Sequence, residues 1–331
     1  MSVPVIGFFN NKGGVGKTSL VYHIACMLAE QNFRVLAADM DPQGNLSAAF
    51  LGEEKIESLA AEEILFSVRS AVAPILHGTG NLLPAKTIQL ADNLALLPAD
   101  IYLANIEDAL SDAWIKCLDR NAHAFLVTQA IPMAIKDAAK AHDADVVLVD
   151  MGPNIGSLNR AVLLATSSVV VPVAADLYSI QGLRVVGSKL REWREEWCER
   201  LSKVYSHELD SASKIMKPIG YVVTHHIGIV RRPIRAEYQW LMRLPEAYRT
   251  AVLGEADGGS PTVAEDSNCI GIVKHYRSLM AMALEANKPI FKLKPGDGAI
   301  GAHISAVQDA YQDFKRLSLS IVKRAQVTQS E

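Results

Sequence analysis

Residues 3–19 read V-P-V-I-G-F-F-N-N-K-G-G-V-G-K-T-S. An apolar run of strand length breaks into glycines, closes on Lys17 and Thr18, and resumes at once with helical apolar spacing. Few folds accept that order, which is the strand, turn and helix of a phosphate-binding loop. Glycines let the backbone curl with its N–H groups inward, a concave nest for phosphate oxygens. The helix behind turns the positive end of its dipole on the same anion. On this reading Gly13, Gly14, Val15, Gly16 and Ser19 form the cradle. Lys17 reaches the β- and γ-phosphates, and the Thr18 hydroxyl sits on a magnesium ion. A chance turn would account for a pair of glycines, but not for seven contiguous matching residues, K-G-G-V-G-K-T. The pattern G-x-x-x-x-G-K-T fails once, at Asn11, and a second lysine, Lys12, opens the motif.

Leu20, Ile24, Met27 and Leu28 mark a helix over 19–31, and 33–38 reads as a second buried strand. That strand runs into D-M-D-P-Q-G-N at 39–45. Asp39 and Asp41 thus lie at its carboxyl end, where open α/β sheets place their chemistry. Asp41-Pro42 alone would equally suit an ordinary turn. Segment 46–80 suggests two short helices with a solvated acidic face, and strand-like runs follow near 82–88 and 94–98. Helices are expected over about 102–110 and 125–141. Residues 145–150, D-V-V-L-V-D, form an apolar strand ending in Asp150. This has the form of a Walker B element, whose carboxylate holds magnesium, usually through water. Further strands at 168–173 and 219–224, a long helix over 184–205 with Trp193 and Trp197 as apolar anchors, and a last helix striped by Val307, Tyr311, Phe314, Leu317 and Ile321 complete the pattern. Alternating strands and helices predict the α/β class: a doubly wound, mostly parallel sheet flanked by helices.

Together these motifs resemble the ParA/MinD family of P-loop ATPases. Lys12 matches the early lysine of that family's deviant Walker A motif, and D-M-D-P-Q-G-N its second signature. D-M-G-P at 150–153, L-L-P-A-D at 96–100 and S-I-Q-G-L at 179–183 match later family segments. The resemblance covers nearly the whole chain and is strongest to small ParA/Soj-like partition ATPases without an N-terminal helix-turn-helix domain. It implies one domain over 1–331, elaborated at about 46–92 and 200–268. It also implies ATP and Mg2+ as cofactors, with Asp39 and Asp150 serving the ion and Asp41 orienting the attacking water. Two ATP-bound chains would pair as a homodimer, with Lys12 of each reaching the other's nucleotide. Hydrolysis would be slow until a ParB-like or other partner protein accelerates it. Thr224 stands where relatives contact adenine, and the following His225-His226 departs from them; adjacent side chains diverge, which suits metal binding poorly.

No apolar run reaches the roughly 18 residues that a membrane-spanning helix needs. The N-terminus enters the first strand directly, and Cys26, Cys117, Cys198 and Cys269 are scattered without a C-x-x-C pair, so a cytoplasmic location is expected. The formal net charge of -3 gives no global attraction to nucleic acid. Between residues 184 and 249, however, 13 Lys/Arg face 8 Asp/Glu. Arg191, Arg194, Arg231, Arg232 and Arg235 are the candidates for non-specific contacts to DNA phosphates, which would put the protein on the nucleoid. The same charges could equally be solvated helix faces with i,i+4 pairs. Two other members of this fold are the alternatives. A MinD-like positioning ATPase would need a membrane-binding tail, whereas this chain ends in the polar A-Q-V-T-Q-S-E. A metal-cluster carrier would need clustered cysteines.

Overall fold

Parallel strands cannot be joined by tight turns; each must return over a face of the sheet, usually through a helix. The computed structural model describes residues 3–61, 67–204, 215–226, 235–256, 261–276 and 278–329. Its strands are β1 (Val5–Phe8), β2 (Val35–Asp39), β3 (Ile88–Ala91), β4 (Leu94–Leu97), β5 (Val146–Asp150), β6 (Ser168–Ala174), β7 (Lys217–His226) and β8 (Cys269–Lys274). The first half carries helices α1 (Lys17–Glu30), α2 (Asn45–Leu51), α3 (Glu53–Ala61), α4 (Ser67–Leu76), α5 (Glu107–Lys116) and α6 (Ala122–Ala141). The second half carries α7 (Ser157–Leu163), α8 (Leu177–Ser202), α9 (Arg235–Leu241), α10 (Leu244–Ala247), α11 (Ser278–Glu285) and α12 (Ala302–Arg324).

The strands form one sheet in the order β3-β4-β2-β5-β1-β6-β7-β8, parallel except for β3. Side chains alternate across it with the period of two that a strand imposes. Ile6 and Phe8 enter the core beneath α1, α11 and α12, while Val5 and Phe9 enter the core beneath α4 to α8. From β1 the chain crosses to β2 on one side, and from β5 it crosses over β1 to β6 on the other. The carboxyl ends of β1, β2 and β5 therefore meet where the winding reverses, the crevice at which open α/β sheets bind ligands.

Several element boundaries differ from expectation. The strand expected at 82–88 begins only at Ile88, since Pro84 lacks an N–H for a ladder. Residues 46–80 hold helical segments within α2, α3 and α4. The helix expected from Arg184 starts seven residues earlier, at Leu177, because the Asp176 side chain accepts from the Ser179 N–H at 2.8 Å. That is an N-cap, which satisfies an otherwise orphaned helix donor. The helix expected over 102–110 is displaced: a 3₁₀ turn spans Leu103–Ile106 and α5 follows.

Candidate active site

Gly16 takes the left-handed conformation (φ 74°, ψ 23°) that turns the chain out of β1 and into α1. Gly14 is left-handed too, at φ +72°; a side chain at either position would strain the backbone. A Cβ on Gly13 or Gly14 would meet nothing within 4 Å, so the concave loop faces open space. Asn10 braces it, donating to the Pro172 carbonyl at 2.6 Å and accepting from the Lys12 N–H at 3.0 Å. Lys17 is buried, and its Nζ donates to the Lys12 carbonyl at 3.2 Å. Burial lowers its pKa, and the Asp150 and Asp41 charges draw it back up.

Pairing of β2 with β5 sets Asp39 opposite Asp150, and both are fully buried. Their surroundings differ. Asp39 accepts from the Ser47 N–H at 2.7 Å, the Ser47 hydroxyl at 2.8 Å and the Asp41 N–H at 3.3 Å, so it fastens α2 to the strand end. Burial pushes its pKa to about 6, and the Ser47 donors oppose that rise. Neither Asp150 oxygen has a partner of hydrogen-bonding geometry. Burial, then the Asp39 charge, push Asp150 to about 7, against the nearby Thr18 hydroxyl and Lys17. Bare buried carboxylate oxygens are costly unless a cation or proton joins them, so Thr18 and Asp150 fit a hydrated divalent ion. Among the described residues no group of three or more His, Cys, Asp or Glu side chains is arranged to hold a metal. The remaining ligands would be water and phosphate, the usual company of Mg2+.

Asp41 accepts from the Gln43 N–H at 3.0 Å, which orients the carboxylate within its own turn. It lies against the loop after β5, where a Cβ on Gly152 would stand 3.3 Å from its Oδ1. Asn159 of α7 anchors that loop by donating to the Gly152 and Asn154 carbonyls at 2.8 and 2.7 Å.

Lys12 is held by its own chain. Its Nζ pairs with Asp176 and lies 3.4 Å from the Ser179 hydroxyl, both at the start of α8. Burial pushes the Asp176 pKa up, but the Lys12 and Ser179 donors outweigh it and hold the carboxyl below its ordinary value. Thr224 donates to the Val15 carbonyl at 2.7 Å, so its hydroxyl fastens β7 to the loop. Beside it lies a cavity opening next to Gly16 and Ser19. Leu20, Met280, Ile290 and Phe314 supply apolar wall, and Lys274, His275 and Tyr276 a more polar one.

Sequence reasoning missed Ser47, Asp176 and the 274–276 wall. The Asp176 N-cap was visible as D-L-Y-S at 176–179, whereas the wall carries no motif. Of the basic candidates, Arg191 is committed to the Ala251 and Val252 carbonyls, the latter at 3.0 Å. On the same helix Lys189 pairs with Glu192 and Lys203 with Glu199, as a solvated face would. Arg194, on the same helix, is half-buried. Arg231 and Arg232 lie outside the described residues; Arg235 opens α9, and its side chain lies outside them too. No described helix is long and apolar enough to cross a membrane.

The family model described as an AAA domain (AAA_31) matches residues 3–203. The sporulation initiation inhibitor protein Soj of Bacillus subtilis is 30% identical over 179 residues, 54% of this chain and 61% of that protein. A probable plasmid-partitioning protein ParA of Thermus thermophilus is 32% identical over 191 residues, 58% of this chain and 51% of that protein. The matches thus span only about half to three fifths of these relatives' length. Among solved structures, the ATP complex of McdA from Cyanothece superposes with a TM-score of 0.60 at 14% identity, covering 100% of this chain and 99% of that one. At that identity the likeness is one of fold.

Proposed function

The chain belongs to the ParA/MinD family, and on that premise we propose that it is an ATP-dependent dimer that binds DNA non-specifically and moves or positions cargo on it. The observation that carries the nucleotide part is the meeting of an open glycine nest, Lys17 and the bare Asp150 carboxylate at the carboxyl ends of the central strands. The loop N–H groups and the start of α1 bind the phosphates, and Lys17 neutralises charge on the β- and γ-phosphates. Thr18 and Asp150 hold Mg2+, directly or through water, and Asp39 keeps α2 and the strand end in place behind them. When bound, the ion neutralises the phosphate charge that develops as the terminal bond breaks. Asp41 orients the attacking water from its position against Gly152. The adenine end occupies the cavity beside Thr224.

Lys12 supplies the switch. In the single chain it rests on Asp176 and Ser179, and on dimerisation it leaves them for the partner's nucleotide. The DNA reading draws on Arg194, Arg231, Arg232 and Arg235, with Arg191 bracing α8. Their contacts would be to phosphates, so affinity should fall steeply with salt and show little sequence preference. An activating protein of ParB type would accelerate turnover. The membrane-binding reading has less support, because Arg324, one of the basic residues of α12 that it would draw on, is spent on the Ile219 and Cys269 carbonyls.

The test is retention on a DNA column at low salt with ATP, ADP and no nucleotide. Wild type should be retained with ATP only, and Lys17→Ala, Lys12→Ala and Arg232→Ala should each reduce retention. Wild-type protein that ignores ATP in this assay would refute the partition reading.

A further inference from the structure

Two of the three residues in the polar wall of the cavity are fastened to one carboxylate that does not itself line it. Asp313, near the middle of α12, accepts from the Tyr276 hydroxyl at 2.9 Å and pairs with the Lys274 Nζ at 3.4 Å. Arg316 pairs with its other oxygen at 2.5 Å. The Asp313 side chain is only 13% exposed, so these groups are fixed partners rather than passing surface contacts.

The same helix continues into the cavity floor. Phe314 lies 6.2 Å from the Tyr276 ring and stacks on His23 of α1 at 4.7 Å, 17° from parallel. His23 donates from Nδ1 to the Ser19 carbonyl at 2.7 Å and accepts at Nε2 from the Ile290 N–H at 3.2 Å. Both nitrogens are thus spent on holding the floor together. Asp313, Tyr276, Phe314 and His23 thus tie the polar wall to the floor. Lys274, Tyr276 and Asp313 all lie outside residues 3–203, the stretch that the family model matches.

We propose that Asp313 is a positioning residue for the nucleobase end of the ligand, fixing Tyr276 and Lys274 at the spacing that admits a flat base. The proposal rests on the nucleotide reading of the cavity. Tyr276 is the main route, because a half-buried hydroxyl on a charged acceptor contributes more than an exposed ion pair. Without the carboxylate, Tyr276 loses its acceptor and Lys274 is free to swing into water. The phosphate nest is untouched, since none of its groups contacts Asp313.

Calorimetric titration with MgATP and with magnesium tripolyphosphate separates the two ends of the ligand. Wild type should bind both. Asp313→Ala should weaken MgATP about tenfold and leave tripolyphosphate within about twofold, the loss expected for one charge-assisted hydrogen bond. Tyr276→Phe should reproduce most of that loss. Asp313→Asn keeps an acceptor for Tyr276 and should lie nearer wild type. Parallel weakening of both ligands, or unchanged MgATP affinity in Asp313→Ala, would overturn the proposal. Wild type that binds neither ligand would overturn the nucleotide reading, and this inference with it.

Discussion

Replacing Asp150 by asparagine measures what a bare, buried carboxylate costs this fold. Its pKa rises from 3.8 to about 7. Three units at about 1.4 kcal/mol each put the cost of the charged form, in the empty protein, on the order of 4 kcal/mol. The folded protein holds this proton more tightly than the unfolded chain does. Its contribution is therefore most favourable below the unfolded value and is lost as pH climbs through the folded one. Asparagine has no such dependence. Its unpaired amide costs about 1–3 kcal/mol at every pH, so that cost cancels when two pH values are compared. Urea unfolding without ligand at about pH 5 and about pH 8 should thus move the stability difference by about 2–3 kcal/mol in the variant's favour at the higher pH. Excess MgATP at about pH 8 should reverse the ranking, because it stabilises only the protein that binds it. A difference independent of pH would refute the reading of Asp150 as a cation-seeking carboxylate.

Two further substitutions probe the switch and the frame. Asp176→Asn keeps the cap on α8 but removes the charge that holds Lys12. Both partners are partly exposed, at 26% and 38%, so the pair contributes only about 0.2–1 kcal/mol. Both chains release the pair when the dimer forms, so the protein concentration for half-maximal dimer in ATP, read by analytical ultracentrifugation, should fall by up to about thirtyfold; a rise would contradict the resting-pair reading. Gly187→Ala would set a Cβ 2.0 Å from the Ala251 carbonyl oxygen, which Arg191 also grips. Thermal unfolding should report a loss of about 1–3 kcal/mol, typical of overpacking; an unchanged midpoint would show that α8 does not pack so closely there.

The parallel sheet and phosphate loop were legible because their signals are local. A left-handed Gly16 beside Lys17 is written as contiguous residues, and a buried strand ending in Asp150 is written as an apolar run. The division of labour between Asp39 and Asp150 was not legible. It depends on Ser47, eight residues beyond Asp39, which satisfies one carboxylate and leaves the other bare. The resting partner of Lys12 lies 164 residues away and owes its place to the pairing of β1 with β6. The cavity wall escaped for the same reason: Lys274, Tyr276 and Asp313 meet only once α12 has packed beside β8. Short-range chemistry reads directly from sequence, whereas chemistry assembled across a sheet becomes visible only in the fold.

The central claim is a nucleotide-switched dimer that depends on Lys12. Light scattering with MgATP and with MgADP tests it most directly, using Asp41→Ala to hold the bound state against hydrolysis. Wild type and Asp41→Ala should double in mass with ATP and return to one chain with ADP, while Lys12→Ala stays single with both. The same mass in every nucleotide state, or doubling of Lys12→Ala like wild type, would contradict it.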